Sequence, residues 1–136
     1  MKQSYILLKI ILGLVALAHI VIGIIGVIPQ IPVSIAVLFY GAALTLNAQI
    51  EHVLQMFGAY MLTIGLLGAL AVRDPVKNKS IIYGISFLLF LRVLQRLLFA
   101  GQAYAVFDIS PAYYWAQTAL FLVLAVCLIL LRPKVK

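Results

Sequence analysis

Acidic residues are nearly missing from this chain. Glu51, Asp74 and Asp108 are the only three among 136 residues, against ten lysines and arginines, and the formal charge is +7. Charged residues make up 10% of the chain, where an ordinary soluble domain carries about a quarter. That shortage excludes a conventional water-facing surface. Cysteine is scarce too. Cys127 stands alone inside an apolar run, so no intrachain disulfide and no cysteine metal cluster can form, and the redox compartment cannot be read from it. No internal repeat or low-complexity segment is present. The basic excess is not a nucleic-acid footprint, because the cations sit mainly at the ends of apolar runs and form no patch with interleaved polar residues. That placement is the membrane pattern.

What fills the sequence is apolar: 66% of it. A small soluble domain leaves much of its surface in water and could not hide so much. Lipid is the solvent that fits. A spanning helix needs roughly 20 apolar residues, and four runs qualify, at about 5–28, 50–72, 80–100 and 113–131. The first run has a signal-like start in Lys2 and Lys9. It is too long for a signal h-region and lacks a small-x-small cleavage site, so it reads as a retained helix. Pro29 and Pro32 end it. Arg73-Asp-Pro-Val-Lys-Asn-Lys79 makes a polar turn after the second run, and Gly101 to Pro111 reads as a loop after the third. The expectation is one all-α domain over 1–136, a polytopic four-helix membrane bundle.

Residues 33–46 are apolar but too short to span before Asn47, Gln49, Glu51 and His52 intervene. They suit an interfacial or re-entrant segment between the first two helices. Charge bias agrees. With four spans, Lys2, Lys9, Arg73, Lys77, Lys79, Arg132, Lys134 and Lys136 share one side, which the positive-inside rule makes cytoplasmic together with both termini. Tyr104, Phe107, Tyr113, Tyr114 and Trp115 then form an outer aromatic belt. Gly23 and Gly26 on the first helix, and Gly58, Gly65 and Gly68 on the second, mark faces for close helix packing.

Arg92 and Arg96 are the cations out of place. A charge at the bilayer centre costs at least about 2.5–3.5 kcal/mol. They are four apart on the third helix, on one face in its outer half, with Gln95 adjacent. The outer end of the second helix carries Asn47, Glu51, His52 and Gln55, and His19 lies in the outer half of the first. These eight residues are the candidate ligand-binding set. Two readings stay open. In one, Glu51 pairs with an arginine and fastens helices two and three. In the other, two arginines against one carboxylate leave a polar pocket for an anionic or strongly hydrogen-accepting head group, with Asp108 within reach from the loop. Arg92 is expected to point into the bundle. Glu51 and His52 are weak catalytic candidates as an acid–base pair, since adjacent helical residues point about 100° apart. His19 and His52 differ by roughly 10 Å in depth by helical rise, which disfavours a bis-histidine haem, and no close ligand spacing suggests a metal.

The order Asn47-x-Gln49-x-x-His52, Gly58-Ala59-Tyr60, Arg73-Asp74-Pro75 and Leu91-Arg92-Val93-Leu94-Gln95-Arg96 resembles the DoxX-like superfamily of small four-helix bacterial membrane proteins, in its uncharacterised branches, over about residues 10–130. The resemblance implies a four-helix bundle in the bacterial cytoplasmic membrane, with a short element between the first two spans. Its relatives are linked variously to quinol oxidase accessory roles, redox-related complexes and assembly of other membrane proteins, and no catalytic motif carries over. The leading functional expectation is a membrane protein that binds a lipid-like or quinone-like ligand in the outer-half pocket, as an accessory subunit of a membrane-protein complex. No resident cofactor is expected, a quinone being the one candidate. Membrane lipids are partners and nucleic acid is not. The alternatives are an enzyme acting on a lipophilic substrate, a ligand-free assembly protein, and a small transporter, the last disfavoured because four helices enclose little lumen.

Overall fold

The computed structural model describes residues 2–28, 47–107 and 109–133. Among them the chain is helical throughout, with α1 at Lys2–Val27, α2 at Ala48–Arg73, α3 at Lys79–Leu98, α4 at Ala100–Phe107 and α5 at Pro111–Leu131. Four helices are long and apolar enough to cross a membrane: Ser4–Val27 of α1, and α2, α3 and α5 in full. The expected spans agree with these within a few residues. Large apolar side chains cover the outside, among them Leu14, Phe87, Leu98 and Leu130, each at least 63% exposed. A water-soluble monomer does not present so continuous an apolar surface. The chain is an all-α membrane helix bundle. The segment 33–46 lies outside the described residues.

The connections have local causes. Asn47 stands in extended conformation at the N-cap of α2, and its side-chain oxygen accepts from the Ile50 N–H at 2.9 Å. At the other end of α2, Asn78 Nδ2 donates to the Leu70 and Asp74 carbonyls, and Lys9 Nζ reaches the Arg73 carbonyl at 3.4 Å. A cation there also complements the helix dipole. Asp74 Oδ1 accepts from Lys77 N–H, which closes the turn into α3, and Pro75 is buried beneath it. The stretch after α3, expected to be a loop, is instead the short helix α4. Its alanines favour helix over the effect of Gly101, and the hydrogen bonds Phe99 N–Gln95 O and Ala103 N–Phe99 O carry the helical path across the junction.

The bundle is built from two helix pairs. α1 packs most extensively on α2, and α3 on α5; the α1–α5 and α2–α3 seams are thinner. Glycine explains the first pair. A Cβ on Gly58 would lie 2.6 Å from the Gly26 carbonyl carbon, and one on Gly65 would lie 2.7 Å from the Ile20 nitrogen. The backbones meet directly, as small residues permit in lipid. The apolar core, Leu8, Leu12, Val15, Ala71, Ile82, Ile85, Leu89, Ala125 and Leu128, fills one half of the bundle. That half carries Lys9, Arg73, Lys77, Lys79 and Arg132, and is called the basic end below.

Candidate polar pocket in the far half

Each core stripe changes character when followed away from the basic end. On α1, Leu8, Leu12 and Val15 lead one turn on to His19. On α3, Ile82, Ile85 and Leu89 lead to Arg92, Val93 and Arg96. On α5, Leu128 and Ala125 lead to Phe121, Thr118 and Tyr114. The i, i+3/i+4 rule that aligns the core therefore aligns these polar groups on the same interior face. Arg92 lies about 5 Å beyond the midpoint of α3, and Arg96 about 11 Å, by helical rise.

Arg96 is held by α5. Its Nε donates to Thr118 Oγ1 at 2.9 Å, and Nη2 donates to Gln117 Oε1 at 3.0 Å and to the Tyr114 carbonyl at 3.2 Å. The guanidinium lies 4.1 Å from the centre of the Tyr114 ring, and Tyr114 donates its hydroxyl to the Arg96 carbonyl at 2.7 Å. These are reciprocal bonds between two helices, and they join α3 to α5.

Arg92 is placed differently. It points into the bundle, with its guanidinium 5.7 Å from the Phe57 ring centre of α2 and 5.4 Å from that of Phe121 on α5. Its hydrogen-bond acceptor among the described residues is the Met61 thioether, at 3.9 Å. Sulfur accepts weakly, so most of the donor fork of a half-buried guanidinium lacks an oxygen partner.

His19 supplies the complementary group. The ring is 6% exposed, and Nδ1 lies 2.7 Å from the Val15 carbonyl. A carbonyl only accepts, so Nδ1 carries the proton. In the neutral ring Nε2 is then a bare acceptor, and this buried atom has no partner. The charge of Arg92 is close enough to act on the ring. The hydroxyl of Tyr104 on α4, which packs edge-on against Tyr114 at 5.2 Å, is likewise buried without a partner.

The other candidate residues fall elsewhere. Glu51 and His52 are exposed, as is Gln95, and Gln55 is half-buried. The expected ion pair is not formed: among the described residues Glu51 bonds to neither Arg92 nor Arg96. The reason lies in the face Glu51 occupies. It continues the Gly58 stripe, and Gly58 faces Gly26 of α1 rather than α3. α1 ends at Val27, and Glu51 lies seven residues beyond that contact, past the end of its neighbour. The Asn47 oxygen is used in capping α2. From the Gly26–Gly58 contact, His19 and His52 run in opposite directions and end up roughly 20 Å apart along the interface by helical rise. The belt is also revised. Tyr113 and Trp115 are exposed, but Tyr114 is 3% exposed and faces inward, because neighbouring helical residues diverge by about 100°. Thr118 and Gln117 were passed over in the sequence. Their signal was an i, i+4 polar step from Tyr114 to Thr118 in an otherwise apolar helix.

No family model, curated protein or solved structure matches the chain.

Proposed function

We propose that this chain binds a lipid-like or quinone-like amphiphile, its polar head held between His19 and Arg92 in the far half of the bundle. The observation that carries the reading is the pair of unmet polar groups beside one another: a buried imidazole nitrogen without a partner and a guanidinium whose acceptor is a thioether. Leaving a buried polar group unsatisfied costs about 1–3 kcal/mol, more when it is charged. A bound head group recovers that cost. Phe57 and Phe121 present ring faces to the same guanidinium and would flank the head. The far half is the outer half by the positive-inside rule, with both termini cytoplasmic, in a bacterial cytoplasmic membrane if the DoxX-like resemblance reflects kinship. Arg96 contributes structure, since its bonds to α5 use it as a fastener. An accessory role in a larger membrane complex is consistent with a binding site that has no nucleophile or carboxylate beside it among the described residues.

The test is extraction from the membrane without detergent, in polymer-bounded native discs, followed by mass spectrometry of the associated lipids. One amphiphile should be enriched over the bulk membrane, and Arg92→Leu should reduce that enrichment at least tenfold while helicity by circular dichroism is kept. Disc lipids identical to the bulk membrane for both proteins would overturn the reading.

A further inference from the structure

We infer that the head group bound between His19 and Arg92 is a neutral hydroxyl, an alcohol or phenol on a single hydrophobic chain, and not an acceptor-only head such as a quinone carbonyl, carboxylate or phosphate. This rests on the ligand reading above and narrows it.

Hydrogen-bond polarity carries the argument. The Val15 carbonyl, 2.7 Å from Nδ1, fixes the proton there and leaves Nε2 able only to accept. Arginine can only donate. A ligand that satisfies both must donate to one and accept from the other through the same small head. A hydroxyl does this with one oxygen: its O–H points to His19 Nε2 and its lone pairs take the Arg92 N–H groups. A quinone carbonyl, a carboxylate or a phosphate would answer Arg92 but set its lone pairs against the bare lone pair of Nε2. Binding such a head would require the imidazole to move its proton to Nε2 and give up the Val15 bond, in a ring that is 6% exposed.

Depth points the same way. Arg92 lies only about 5 Å beyond the α3 midpoint by helical rise. Carrying an ionised head so far into hydrocarbon is far costlier than carrying a hydroxyl. Heads that are uncharged and small reach this level.

The chain has a place to lie. An apolar groove of about 340 Å³ follows the thin α2–α3 seam, lined by Ile64 and Leu67 on α2 and by Gly84, Leu88 and Leu91 on α3. It begins beside the head site, since Leu91 adjoins Arg92 and Ile64 is one turn from Met61, the residue that contacts Arg92. It continues for about 15 Å toward the basic end, from Leu91 to Ile81, by helical rise. Gly84 leaves it open, with nothing within 4 Å of where a Cβ would stand. Head and tail sites are therefore continuous, and the occupant of the groove is the chain of the same amphiphile.

The experiment uses the full protein in nanodiscs of defined phospholipid, with three probes: a decyl-benzoquinol held reduced, the matching decyl-benzoquinone, and dioctanoylglycerol. The quinol and the quinone share ring and tail and differ only in hydroxyl against carbonyl. Quinol should bind at least tenfold tighter than quinone, and His19→Phe should erase that preference. Comparable binding of dioctanoylglycerol would place the ligand among glycerolipids, and binding of the quinol alone among phenols; either supports the hydroxyl. A second measurement avoids any folding defect of the variant. Nitrogen NMR of the wild-type His19 ring should show the Nδ1–H tautomer, with the Nε2 resonance shifting on quinol addition as it accepts a bond. Equal binding of quinol and quinone, or an Nε2–H tautomer, overturns the hydroxyl and leaves the amphiphile reading standing. No saturable binding by any probe, with discs from cells also holding only bulk lipid, overturns both.

Discussion

At the scale of single residues, the two membrane arginines do different work for reasons of partner chemistry. Arg96 meets three oxygens of α5, whereas Arg92 meets two rings and a sulfur. Tyr114→Phe should therefore destabilise the bundle by about 1 kcal/mol, the usual net worth of a lost hydrogen bond, measured as unfolding free energy in mixed micelles. A variant as stable as the parent would show that the hydroxyl bond to the Arg96 carbonyl contributes nothing. Glu51 is the opposite case. It is exposed and unpaired with either arginine, so Glu51→Gln should leave the melting temperature unchanged. The charge count suggested a salt bridge because it registers only sign and depth. The structure adds direction, and Glu51 is turned away from α3.

At the scale of helices, the α1–α2 pair rests on backbone contact and the α2–α3 seam does not. Gly58 and Gly84 separate these situations in one experiment. Gly58→Ala places a methyl against the Gly26 backbone, so the helices must part. A loss of about 1–3 kcal/mol is expected, as for other overpacked contacts. Gly84→Ala meets open space and should be neutral or slightly stabilising through helix propensity. Equal effects from the two would mean that α1 and α2 do not approach as closely as described. Capping is a third handle. Asn47→Ala removes the acceptor for the Ile50 N–H and should cost about 1 kcal/mol, visible as faster amide exchange in the first turn of α2.

At the scale of the whole molecule, an apolar half and a polar half lie along one axis. Cations mark the end nearer the apolar half, and the unmet polar groups lie in the other. The two ends should accordingly face different compartments. With Cys127 replaced by alanine, a cysteine at Lys77 should resist an impermeant thiol reagent added outside intact cells, and one at Ser110 should react; both positions are exposed. The reverse pattern would invert the orientation and put the polar pocket in the cytoplasmic half.

Run length and composition were enough to identify four helices in lipid and their approximate ends, because a membrane span is a local property: each helix satisfies its own backbone and needs only about 20 apolar residues. Spacing alone also placed Gly26, Gly58 and Gly65 on packing faces, and set Arg92, Arg96 and His19 in one half of the bundle. Pairing was not local. Which helix sits beside which, and how far each extends past its neighbour, depends on side chains distant in sequence. That choice separated Glu51 from the arginines, turned Tyr114 inward to hold Arg96, and left Arg92 with Met61 for an acceptor. The polarity of the His19 ring likewise depends on one carbonyl a turn away, set by a rotamer that no sequence pattern encodes.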